Sequence, residues 1–174
     1  MARTSPPAAV KLFLVTLHSG PLPMSNAIDL VKNEYGNTDF ESEDFPFTET
    51  TYYENEMGTN LVRRFFSFEK LIEPDRIVEA KLFCNHVENE YSTGSNRAIN
   101  LDPGYLDTYK VVLASAKFGG QKIYLRDGIY ADMTLTMYKG KWVSFLWGFP
   151  DFKSGKYDAV LCKIRDLYKK QRLS

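Results

Sequence analysis

The sequence predicts an α+β domain: a largely antiparallel sheet with about four helices packed mainly on one side. Three observations carry this expectation. The run Lys11–Leu17 is apolar apart from Lys11 and Thr16, which suits a central strand buried on both faces. Three segments, around 24–35, 74–91 and 157–168, repeat apolar residues at three-four spacing, the period of a helix with one buried stripe. Residues 129–138 alternate apolar and polar, the period of a strand. Strand and helix do not alternate strictly along the chain, which argues against a doubly wound parallel sheet.

The elements follow in order. Residues 1–9 read as a disordered tail, with Pro6 and Pro7 opposing regular structure, and 10–174 as one domain. After the first strand, Met24, Ile28, Val31 and Tyr35 form a helix stripe that Gly36 stops. Residues 34–56 hold eight acidic side chains and no basic one, together with Phe45, Phe47, Tyr52 and Tyr53. That composition describes either a solvated edge anchored by aromatics or an acidic rim that meets a basic patch or a cation. Asn60–Ile72 reads as a strand with charge and aromatics on both faces. Pro74 opens a helix with Ile77, Ala80, Cys84, Val87 and Tyr91 inward, and 92–96 is a loop.

Ile99–Asp102 is a short strand entering a Pro103–Gly104 turn. A short helix is expected next, capped by Asp107 or Thr108, with Tyr109, Val112, Leu113 and Ala116 inward. In 129–138 the core face is expected to be Ile129, Ala131, Met133, Leu135 and Met137. Lys139–Lys141 turns that strand into a second one at Trp142–Leu146, and the C-terminal helix buries Tyr157, Val160, Leu161, Ile164, Leu167 and Tyr168.

Length, charge and motifs exclude several functions. The chain has 174 residues with 22 basic and 22 acidic side chains, so it is one domain without the basic excess of a nucleic-acid binder. Strong nucleic-acid binding is therefore not expected. No run approaches the length of a membrane span, and Cys84 and Cys162 make no disulfide framework, so the expected compartment is the cytoplasm. Lys156 follows Gly155, but Pro150 and Tyr157 stand where a phosphate loop needs glycine and Ser or Thr. There is no Gly-x-Gly-x-x-Gly, and His18 and His86 lack zinc spacing, so no metal site is assigned and the cofactor is open.

What remains is polar chemistry near turns. Asn100 and Asp102 share one strand face, with Tyr105 beyond the turn. Arg126, Asp127 and Tyr130 surround Gly128; they form either an exposed hairpin loop or a charge-paired anion site. Tyr130, Asp132, Thr134 and Thr136 line one face, either solvated or a pocket floor. Arg63, Arg64, Lys70, Lys110 and Lys117 supply cations for a phosphate or carboxylate. From these, Asp102 and Asp127 are the catalytic candidates. Arg64, Lys70, Asn100, Tyr105, Lys110, Arg126, Tyr130 and Thr134 are the ligand-binding ones.

Several blocks also carry a resemblance. FPF at 45–47, RFFSFEKL at 64–71, NLDPGYL at 100–106 and IYL at 123–125 with DGIYA at 127–131 resemble a bacterial family of unknown function, number forty-four sixteen. The resemblance spans about residues 10–170 and implies a small cytosolic protein of one domain with no assigned reaction. A GTP-binding label has been attached to members, and this sequence lacks the phosphate loop that label needs. Two functional readings follow. One is a polar pocket for a small anionic or nucleotide-like ligand, enzymatic or not. The other is a non-catalytic module binding protein or RNA through its acidic segment 40–56 and its basic C-terminal helix.

Overall fold

A computed structural model describes residues 3–94 and 96–173. The tail expected over 1–9 falls partly outside these residues, at Met1 and Ala2; residues 3–9 precede the first strand without helix or strand of their own. Ser95, inside the expected loop 92–96, and Ser174 also lie outside them.

The core is an antiparallel sheet around β1 (Val10–His18), every residue of which is buried. On one flank β1 pairs with β4 (Val62–Ile72), which is bordered by β2 (Thr38–Glu41) and β3 (Phe45–Pro46). On the other flank follow β7 (Ile99–Leu106), β8 (Lys110–Ser115), β10 (Ile129–Tyr138) and β11 (Lys141–Ser144), with β9 (Ile123–Arg126) also paired to β10. A two-stranded ribbon, β5 (Ser92–Thr93) and β6 (Asn96–Arg97), stands apart.

Helices cover both faces of the sheet, where the sequence suggested mainly one. On one face α1 (Pro21–Tyr35) and α3 (Ile77–Glu90), the latter preceded by a 3₁₀ turn at Pro74–Arg76, enclose Leu12, Leu14, Phe66 and Phe68. On the opposite face α4 (Pro150–Lys153) and α5 (Asp158–Leu173) close over Phe13, Val15 and Phe65. A short α2 (Glu54–Met57) completes the helices. Alternate residues of β1 thus enter two different cores, and this is why Leu12–Val15 is apolar on both faces. Burial of each large apolar side chain contributes roughly 1.5–3 kcal/mol, so β1 anchors both layers. Lys11 is fully buried within it, bonded to Asp39 and, at 2.8 Å, to Gln171 of α5. No helix among the described residues is long and apolar enough to cross a membrane.

Three local expectations are corrected. Residues 110–115 form strand β8, not a helix. Val111, Val112, Leu113 and Ala114 are all buried, and a short doubly buried apolar run satisfies either period. The capping chemistry of Asp107 is used for a turn, its Oδ1 accepting the Tyr109 and Lys110 N–H groups at 2.7 and 2.9 Å.

The second correction is at Pro103–Gly104, which is not a turn: β7 runs straight through it, paired with β1 from Lys11–Leu106 to His18–Ile99. Gly104 is there for proximity. A Cβ at this position would stand 2.6 Å from Phe13 Cζ and 2.7 Å from the Val112 carbonyl oxygen.

Third, the alternation of β10 is split by a bulge between Met133 and Leu135. Ile129 packs with Ile77, Val78 and Ala114 on the α3 face, whereas Leu135 packs with Val111 and Leu113 on the α5 face. Met133 is exposed, and Asp132 and Thr134 are buried.

Candidate functional site

β7 and β8 pair only at Gly104–Leu106, against Leu113–Val111, and splay apart beyond them. Leu101 therefore lacks a strand partner on that side, and α3 supplies side chains instead. Lys81 Nζ donates to the Leu101 carbonyl at 2.8 Å, and the Leu101 N–H donates to Glu88 Oε1 at 2.6 Å. Lys81 and Glu88 are seven apart, hence on one side of the helix, and both are buried. Satisfying these two backbone groups matters because an unpaired buried amide costs about 1–3 kcal/mol.

A polar network spreads from this fork. Lys81 Nζ reaches Asp102 Oδ1 at 3.1 Å, and Asn100 Nδ2 donates to Asp102 Oδ2 at 2.6 Å. Arg97 donates to Asn100 Oδ1 and Glu88 Oε2, both at 2.9 Å, and grips Glu56 with Nε and Nη2 at 2.6 and 2.9 Å. Burial pushes the Asp102 carboxyl up, but the charges of Lys81 and Arg63 outweigh it and hold the group below the ordinary aspartate value. Burial dominates at Glu88 and raises its carboxyl despite Lys81. Burial likewise works against the Lys81 ammonium, and Asp102 and Glu88 more than compensate, so Lys81 stays charged.

A cavity of about 410 Å³ opens over the fork. Asn100 and Asp102 of β7, Lys81 and Glu88 of α3, and Arg63 of β4 contribute to its lining. Arg63 shares the face of Phe65, with its side chain only 7% exposed. Its guanidinium carbon lies 4.7 Å from the Phe47 ring centre and 5.8 Å from that of Phe152. Nε is 3.1 Å from Asp151 Oδ2, in ion-pair contact but out of hydrogen-bond alignment. Among the described residues, the two terminal nitrogens have no hydrogen-bond partner in the protein.

The opposite wall comes from the segment after β8 and from β10. Lys122 Nζ donates to Ser115 Oγ at 2.8 Å and sits 3.6 Å from Asp132 Oδ2. Burial raises the Asp132 carboxyl, and Lys122 only partly offsets it. Lys117 Nζ donates to the Tyr52 hydroxyl at 3.0 Å. Tyr52, Tyr53 and Phe149 also line the cavity, and burial pushes the Tyr53 phenol up to about 12. Among the described residues no group of three His, Cys, Asp or Glu side chains is placed to hold a metal ion.

A family profile described as "Domain of unknown function (DUF4416)" matches residues 8–168. The chain belongs to this family. A search of curated proteins and a search of solved structures return no match to it. The family description assigns no reaction.

Of the ten catalytic and ligand-binding candidates chosen from the sequence, the cavity gathers Asn100 and Asp102; Arg63 and Lys117, named there as cations, and Asp132, named on the polar face of its strand, line it as well. The other eight candidates lie elsewhere. Asp127 is exposed in the β9–β10 turn, where its φ of 53° and that of 75° at Gly128 make a tight hairpin. Arg126 bonds Asp127 at 2.8 Å and Glu79 at 2.6 Å. Arg64 is held on the other face of β4 by Asp44 and Glu41 at 2.6 and 2.7 Å, and Lys70 is exposed on the same strand. Lys110 is bonded to Asp107, and Tyr105 packs beside Ile77 and Ile129. Tyr130 contacts the rings of Phe118 and Tyr124, and Thr134 donates to the Asp132 carbonyl at 3.1 Å inside the bulge.

Sequence reasoning missed Lys81, Glu88, Arg97, Lys122 and Asp151. The first two had a readable signal: charged residues seven apart, each directly following a residue of the apolar stripe, Ala80 and Val87.

Proposed function

We propose that the cavity binds a small anionic ligand, with Arg63 as the anchoring cation. One observation carries the reading: an arginine almost wholly removed from solvent, fixed between two rings and one carboxylate, lines the cavity while its terminal nitrogens have no partner among the described residues. A planar guanidinium with two free donors suits a carboxylate or phosphate bidentately. Lys117 and Lys122 add positive charge on the opposite wall. Asp102, ionised and oriented by Lys81 and Asn100, is the acceptor on the floor. General-base action by this carboxylate is the catalytic form of the reading.

Cytoplasmic residence belongs to the same proposal, supported by two free cysteines, Cys84 and Cys162. The alternative, an interaction module, draws on the acidic segment 40–56. Four of its acids are engaged within the chain: Glu41 and Asp44 by Arg64, Glu49 by Lys156, Glu56 by Arg97. That leaves less acidic surface for a partner and favours the pocket.

A thermal-shift screen of phosphates, carboxylates and nucleotides tests the reading. A ligand at 100 times its Kd stabilises by about 2.7 kcal/mol, and Arg63→Gln should abolish the shift. A shift retained in that variant would remove Arg63 as anchor.

A further inference from the structure

We infer that the ligand is an acid joined to a flat ring, with the acid inward on Arg63 and the ring at the mouth between Tyr52 and Phe149. This rests on the anion-binding reading and adds the second half of the ligand. The cavity, at about 410 Å³, has much more room than a bare phosphate or carboxylate fills. Tyr52 and Phe149 come from separate segments, both line the cavity, and both keep large exposed surfaces, 64% and 41%. Core packing does not account for rings left this open at a concave site. Stacking against a planar group does, because it removes apolar surface on both partners.

The rings also form a continuous path from anchor to mouth. The Arg63 guanidinium lies on Phe47; Phe47 meets Tyr53 at 5.9 Å between ring centres, and Tyr53 meets Tyr52 at 5.0 Å. Lys117 Nζ, 5.0 Å from the Tyr52 ring centre and 3.0 Å from its hydroxyl, holds that last ring. A molecule with its acid on Arg63 would therefore run along an aromatic wall and end at exposed rings. The chemistry is shared by nucleoside monophosphates and by simple aryl acids.

Calorimetry on the full chain tests this with matched pairs: inorganic phosphate against phenyl phosphate and a nucleoside monophosphate, and acetate against benzoate. The ring-bearing member should bind at least tenfold tighter, and Tyr52→Ala or Phe149→Ala should bring the ratio of the ringed to the ringless anion's affinity close to one, whatever either change does to anion binding itself. Both positions are exposed, so the variants should fold. Preference for the nucleotide over phenyl phosphate identifies a nucleobase; the reverse identifies an aryl acid. Equal affinity for ringed and ringless anions, or stacking variants without effect, would overturn the inference and leave the anion site standing. Failure of every anion to bind the unaltered chain would overturn the anion-binding reading with it.

Discussion

Glu88 receives the Leu101 backbone N–H at 2.6 Å, in the place where a paired strand would present a carbonyl. The contact lets β7 leave β8 without exposing an unsatisfied edge, and it is what makes room for the cavity. Glu88→Ala should cost about 3 kcal/mol or more in urea denaturation, since it orphans the Leu101 amide and strips Lys81 and Arg97 of a counter-charge. Glu88→Gln keeps an acceptor and should cost clearly less. Equal losses would mean that the charge, rather than the amide contact, holds the edge.

Asp132 gives a prediction of opposite sign. Its carboxyl is raised by burial, so the folded state disfavours the anion and Asp132 weakens the fold at neutral pH. The penalty disappears as pH falls through the folded value toward the unfolded one. Asp132→Asn should therefore raise Tm at pH 7, with a gain that shrinks steadily on acidification. A gain independent of pH would point to packing instead.

His18 closes β1 with neither ring nitrogen in good hydrogen-bond geometry, the Gly20 backbone lying near. Burial is the largest influence and lowers its pKa below 6.5, with Arg64 adding and Asp44 opposing. Its stability contribution is thus complete above pH 6.5 and is lost as pH falls from there toward the folded value. Chemical denaturation between pH 7.5 and pH 5, roughly the window in which an ordinary histidine titrates, should show a decline that His18→Leu flattens. An unchanged slope in the variant would assign the decline to another group.

Gly104→Ala should be among the most damaging single-methyl changes in the chain. The new carbon would press on Phe13, Val112 and Leu113 at 2.6, 2.7 and 2.9 Å, two of them core side chains and one a strand carbonyl. Overpacking of this kind costs about 1–3 kcal/mol and sometimes more. A variant with unaltered Tm would show that β7 can shift away from β1.

The sequence makes some of this architecture visible and hides the rest for physical reasons. β1 is readable because only a strand covered on both faces needs so unbroken an apolar run, and α1, α3 and α5 because one buried stripe imposes a three-four period. β8 is ambiguous because Val111–Ala114 is buried on both faces and carries no period at all. Asn100 and Asp102 can be paired in advance, since residues two apart in a strand share a face. Arg63, Lys81 and Asp151 cannot be brought together that way. They meet because β7 and β8 separate, an event of tertiary structure with no local signature, and the bulge in β10 leaves its written alternation intact.

That bulge has a consequence for how the gene can change in length. Thr134 is the surplus residue of β10: Met133 lies opposite Val112, and Leu135 lies opposite Val111, its immediate neighbour. Because of the surplus, Asp132 and Leu135 share a face although three positions separate them, one serving the cavity and the other the core. Loss of the Thr134 codon would regularise the ladder and leave the remaining side chains of β10 on their present sides. Loss of a codon from the regular part of the strand would turn the residues on one side of the gap over, carrying polar groups into the core or apolar ones out to water. Position 134 is thus where β10 best tolerates a deletion.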